Sequence, residues 1–99
     1  MPFDMTVGLL VADQEKYTLY RAEIAPLLEA NGGAFHYDFE VAKTLKSAAG
    51  HDINRLFVLR FPDREAKERF FTQPEYLAIR ARLFETSVRG MTIIGEHAG

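Results

Sequence analysis

The sequence predicts an α+β chain of the ferredoxin-like, split βαβ type (β-α-β-β-α-β), with an extra helical segment before the last strand. Three observations carry this. Strand and helix patterns follow one another as strand, helix, strand, strand, helix with a helical extension, strand. Right-handed crossovers through the helices make the first and third strands central neighbours and put both helical segments on one sheet face. Those two central strands are apolar on both sides: Val7, Leu9 and Val11 lie against Leu10, and Phe57, Leu59 and Phe61 against Leu56 and Val58. Strands of that kind are normally covered on both faces. The chain's own helices reach only one, so the pattern predicts a homodimer through the other sheet face.

Each element has its own signal. Thr6 to Val11 is a short apolar run with β-branched residues at both ends, a first strand. Asp13 starts a helix, because an Asp N-cap accepts a hydrogen bond from an otherwise unpaired amide. Tyr17, Tyr20, Ile24, Leu27 and Leu28 recur at spacings of three and four along its buried face. Pro26 removes a backbone donor inside that pattern, so a kink or a division near Ala22 is expected. The helix ends at Asn31-Gly32-Gly33. From Ala34 to Val41 the residues alternate strictly, with Phe35, Tyr37, Phe39 and Val41 on one face and Ala34, His36, Asp38 and Glu40 on the other. Lys46 to Asn54 is polar, contains Gly50 and reads as a loop. Leu56 to Phe61 is the third strand, closed by Pro62-Asp63. Asp63 caps a second helix with Ala66, Phe70 and Phe71 inward. Thr72-Gln73-Pro74-Glu75 fits a capping box that opens a third helix with the stripe Tyr76, Ile79 and Leu83. Val88 to Gly95 is the last strand, with Met91, Ile93 and Ile94 its core residues.

Composition narrows the function. Ninety-nine residues make one small domain, 1–99, with its core at about 6–96. The 47% hydrophobic and 26% charged fractions are those of globular chains. A net charge of -2 without a basic run argues against nucleic acid as a partner. There is no cysteine, so disulfides and thiolate chemistry are excluded. The opening residues Met-Pro-Phe-Asp-Met-Thr lack the basic and apolar stretches of a leader, and no apolar run approaches the ~18 residues of a membrane span. A soluble, cytoplasmic protein with no membrane partner is expected. No GxGxxG or Walker pattern calls for a nucleotide cofactor, and His36, His51 and His97 are too scattered for a usual metal site.

Candidate site residues lie on the second sheet face and at the helix layer. In-register pairing of the second and third strands would set Asp38 opposite Arg60, with His36 beside them. Such a group could move a proton, with His36 as carrier, Asp38 as its orienter and Arg60 as an anion anchor. It could equally be an ion-pair network at an interface. Tyr17, Tyr20, Tyr76 and Arg80 are the candidate ligand contacts. The two helix tyrosines also read as core residues with hydroxyls at the rim. Arg80, Arg82 and Arg89 read otherwise as solvated surface charges.

Several segments together resemble one family. Tyr17 and Tyr20 with Pro26 and Gly32-Gly33, the run Arg55-Leu56-Phe57-Val58-Leu59-Arg60-Phe61-Pro62, and Phe70-Phe71 before Pro74-Glu75-Tyr76 and Arg80 look like the small bacterial proteins of domain of unknown function 1330. The resemblance covers roughly Thr6 to Glu96, and is weakest over the second strand and the loop to Ala49. It implies a ferredoxin-like chain that pairs into a dimeric α/β barrel, without an established activity. Together with the apolar excess, this points to binding of a small, partly apolar metabolite between sheet and helices or inside the barrel. The alternative is a cofactor-independent small-barrel enzyme, monooxygenase- or isomerase-like, acting on a hydrophobic or anionic metabolite.

Overall fold

The computed structural model describes residues 1–98. Its elements are β1 (Phe3–Val11), α1 (Gln14–Ala30), β2 (Ala34–Glu40), β3 (Arg55–Phe61), α2 (Arg64–Thr72), α3 (Pro74–Ile79), a π-helical turn over Arg80–Phe84, and β4 (Val88–Ala98). The strands form one antiparallel sheet in the order β2-β3-β1-β4, with β1 and β3 central. This is the ferredoxin-like order with an additional helix before the last strand. Among the described residues, no helix is long and apolar enough to cross a membrane.

Capping fixes the helix starts. Asp13 accepts from the Lys16 amide at 3.0 Å, and Asp63 from the Ala66 amide at 2.7 Å. α1 runs unbroken through Pro26, contrary to the expected division near Ala22. Ala22 and Pro26 both face solvent, so the carbonyl that Pro26 leaves without a helix partner stays open to water. The capping box at Thr72 does not form either. Thr72 Oγ1 donates instead to the Glu68 carbonyl at 2.8 Å, and α3 starts from Gln73 with Pro74 in its first turn.

The odd-numbered residues of β1 and of β3 face the helices and make the core with Tyr17, Tyr20, Ile24, Leu28, Phe70 and Tyr76. β1 begins at Phe3, earlier than the apolar run suggests, because Asp4 is accommodated on the strand by cross-strand Arg60. β2 departs from its expected alternation. Phe35 stands opposite Leu59 and Tyr37 opposite Val58, so His36 is the extra residue of a β-bulge. Beyond the bulge the faces exchange. Asp38 pairs with Phe57 on the helix side, while Tyr37 and Phe39 fall on the open side, 54% and 51% exposed. The expected Asp38–Arg60 pairing is therefore replaced; Arg60 stands opposite Asp4 on one side and Ala34 on the other.

The open face is partly covered by the chain itself. Segment 41–54 crosses it, with Ile53 seated on Gly8 and His51 on Gly90. A Cβ at Gly8 would stand 2.7 Å from Ile53 Cδ1, and one at Gly90 2.5 Å from His51 Cγ. Asn54 ties the segment to β1, accepting from the Val11 amide at 2.8 Å and donating to the Val11 carbonyl at 3.0 Å. On the other edge, β4 has no helix laid broadly across it. Met91 and Ile93, expected in the core, are each about half exposed for that reason. Ile94, also expected there, is the unpaired residue of a β-bulge opposite Thr6 and Val7 and is exposed as well.

Candidate functional site

A cavity of about 410 Å³ lies between the sheet and the helices. β1 and β3 supply its floor with Met5, Val7, Phe57 and Leu59, side chains that face the helices by strand alternation. Tyr20, Phe71, Tyr76 and Phe84 give it aromatic walls. The half-exposed Leu77, Met91 and Ile93 form its apolar rim, where the helix layer stops short of β4.

The polar edge of the cavity is built by α1, α3 and the π-helical turn. Tyr20 Oη and Tyr76 Oη are 3.0 Å apart, and Arg80 Nη1 donates to Tyr76 Oη at 3.5 Å. The turn closes by a bond from the Glu85 amide to the Arg80 carbonyl at 2.9 Å, the i→i+5 pattern often seen at functional sites. It lays the Arg80 guanidinium over the Phe84 ring, 4.8 Å from its centroid. Burial pushes the Tyr20 phenol well above its ordinary pKa, with Tyr76 beside it adding to the effect. Tyr20 is therefore a neutral phenol at neutral pH, able to donate and accept.

Three of the four expected ligand contacts, Tyr20, Tyr76 and Arg80, come together on this wall. Tyr17 does not. It packs beside Tyr20, with ring centroids 5.6 Å apart, but lies off the cavity. Its buried hydroxyl has no partner among the described residues. Burial pushes that phenol upward too, although Arg55 above its ring pulls the other way.

His36, Asp38 and Arg60 are not brought together. His36 is an exposed bulge residue, edge-on to the Tyr37 ring at 4.7 Å. Asp38 sits on the helix side between Arg21 Nε at 2.5 Å and Arg55 Nε and Nη2, both at 2.9 Å. Burial would raise its pKa, but the hydrogen bonds from Arg55 and Arg21 outweigh this and hold it below the ordinary carboxylate value. Arg60 grips Asp4 on the open face with two bonds of 2.7 and 2.8 Å, which hold the Asp4 carboxyl low as well. None of the three lines the cavity.

Phe71, Phe84 and Lys67 also line the cavity without having been marked as site residues. One signal for this wall was present in the sequence. Arg80 lies four residues after Tyr76, a cation one turn along from a buried aromatic stripe.

A protein of unknown function from Rhodopseudomonas palustris has a similar structure, with a TM-score of 0.82 at 16% identity over 99% of this chain and 82% of its own. A dimeric ferredoxin-like protein of unknown function from a Jannaschia species is similar at a TM-score of 0.65 and 15% identity, over 100% of both chains. SnoaB, a cofactor-independent oxygenase from Streptomyces nogalater, is similar at a TM-score of 0.59 and 15% identity, over 99% of this chain and 90% of its own. At these identities the likeness is one of fold. No curated protein matches the sequence. Residues 6–97 match the family described as domain of unknown function (DUF1330), and the chain belongs to that family.

Proposed function

We propose that this protein binds a small, partly apolar metabolite in the cavity between its sheet and helices, as one half of a homodimer. The observation that carries the reading is the cavity itself: about 410 Å³, aromatic-walled, with an apolar rim left half open. Its volume lies within the roughly 300–1,000 Å³ of small-molecule sites, and a few polar groups on one edge of an apolar hollow is the usual composition of such sites. Titration with Nile red, a neutral apolar fluorophore, tests it. Saturable, blue-shifted emission is expected. Ile93→Trp, which fills the rim from a half-exposed position, should weaken it by roughly tenfold or more. Equal binding to both proteins would place the dye elsewhere and remove the support.

The dimer is inferred from the open sheet face. Tyr37 and Phe39 stack there with centroids 6.0 Å apart, beside Leu56 and Val58, and a second copy is the economical cover for such a patch. The Jannaschia protein, similar over its whole length, is described as dimeric. Sedimentation at micromolar concentration should return twice the chain mass.

A second reading is a cofactor-independent enzyme. Its support is the fold shared with SnoaB and the paired phenol hydroxyls beside Arg80, which suit an oxyanion. Oxygen uptake with a bound metabolite would favour it, and tight binding without turnover would leave the binding reading alone.

A further inference from the structure

The hydrogen-bonding capacity of the cavity wall indicates which chemical class of ligand fits it. Tyr20 and Tyr76 carry one O–H each, and their mutual bond at 3.0 Å uses one of the two. Tyr76 has one other partner, Arg80, which only donates. Whichever way the pair is oriented, one phenol O–H has no acceptor among the described residues. Arg80 is similarly under-used. Arg55 and Arg60 each hold a carboxylate by two bonds of 2.7 to 2.9 Å. Arg80 makes one long bond of 3.5 Å to a phenol, and its nearest carboxylate, Glu85, is 3.6 Å away and mostly exposed. Its guanidinium is a rigid fork of five donors, about two-thirds shielded from solvent and oriented by Phe84.

The wall thus has an excess of donors, a fixed positive charge and aromatic surroundings. Resting on the reading of the cavity as a ligand site, we propose that its ligand is an apolar monocarboxylate, with an aryl or branched aliphatic body and its carboxylate held by Arg80 and the Tyr20–Tyr76 pair. A carboxylate is acceptor-only and planar, so it meets the guanidinium fork and takes the spare phenol proton as a third bond. An alcohol or a neutral amide leaves the charge without a counter-ion. Glu85 presents no large barrier, because an exposed pair of this length contributes little and is displaced cheaply. Lys67 and Glu68 also line the cavity, but Lys67 is already engaged with Glu96 at 3.2 Å and Glu68 is exposed, so solvent screens its repulsion of an anion. Arg80 therefore has the capacity left to select.

Displacement of Nile red by a matched pair tests this: 4-phenylbutyrate against 4-phenyl-1-butanol, which differ only in the head group. The carboxylate should displace the dye at a concentration roughly tenfold lower than the alcohol, the scale of a charge-assisted bond. Arg80→Gln should bring the ratio close to one, and Arg80→Lys should restore part of it. Arg82→Gln, which breaks a surface pair with Glu23, should leave the ratio as it is. Equal displacement by the two compounds in the unsubstituted protein overturns the proposal while the cavity reading stands, as does a preference that survives Arg80→Gln. If Nile red does not bind, or neither compound displaces it, the cavity reading falls and this proposal with it.

Discussion

Two tyrosines three residues apart on α1 are both buried, yet their hydroxyls stand in opposite situations. Tyr20 Oη shares a 3.0 Å bond with Tyr76, and Tyr17 Oη has no partner among the described residues. A buried hydroxyl without a bond contributes only its desolvation cost, while removing one of a bonded pair takes the bond from the other as well. Tyr17→Phe should therefore leave the free energy of unfolding unchanged or slightly raised, and Tyr20→Phe should lower it by about 1–2 kcal/mol. Urea unfolding of the two variants side by side checks this. The sequence placed both rings on the inner face from their spacing. It did not show which hydroxyl is paired, because the partner lies 56 residues away. Asp4 makes a second test. Arg60 holds its folded pKa below the ordinary 3.8, so the folded state keeps the carboxylate charged where the unfolded chain takes up a proton. The stabilisation is complete well above pH 3.8 and drains away as pH falls through that value toward the folded pKa. Asp4→Asn should thus be less stable than the parent at pH 7, with the gap narrowing toward about pH 3 in a pH series of unfolding curves.

At the scale of elements, the strand and helix patterns were legible where a local rule sets them, and were misread where a distant contact decides. Asp13 and Asp63 cap their helices as their positions imply. β2 shows the opposite case. Its alternation is clear in the sequence, but one extra residue at His36 exchanges the faces beyond it, and a bulge leaves no mark on composition. The exchange puts Asp38 within reach of Arg21 and Arg55 and turns Tyr37 and Phe39 outward. Lys46 to Asn54 read as a polar loop because most of that segment is polar. Ile53 and the notch at Gly8 make it a cover for the sheet. Gly8→Val should displace Ile53 and cost about 1–3 kcal/mol, an overpacking effect. Combining it with Ile53→Ala should recover part of that loss, and a double-mutant cycle by thermal unfolding measures how much.

For the whole molecule, element order and the two-sided apolar character of the central strands were enough to indicate the ferredoxin-like topology. They were also enough to indicate a chain with a sheet face to spare. The cavity was not legible, because it is the space left where four helical segments fail to cover an edge strand. Met91 and Ile93 look like core residues in the sequence and become the rim of a hollow in the fold. The His36, Asp38 and Arg60 group dissolved for a related reason: its members lie on adjoining strands, but the register pairs Arg60 with Ala34, and the bulge at His36 turns Asp38 to the other side of the sheet. The most direct test of the cavity as the binding site is methyl NMR during titration with 4-phenyl-1-butanol, the neutral member of the pair. Shifts confined to the cavity-lining methyls, those of Met5, Ile24, Met91 and Ile93 among them, are predicted. Shifts at Leu56 and Val58 on the open face, with the cavity methyls unmoved, would contradict the account.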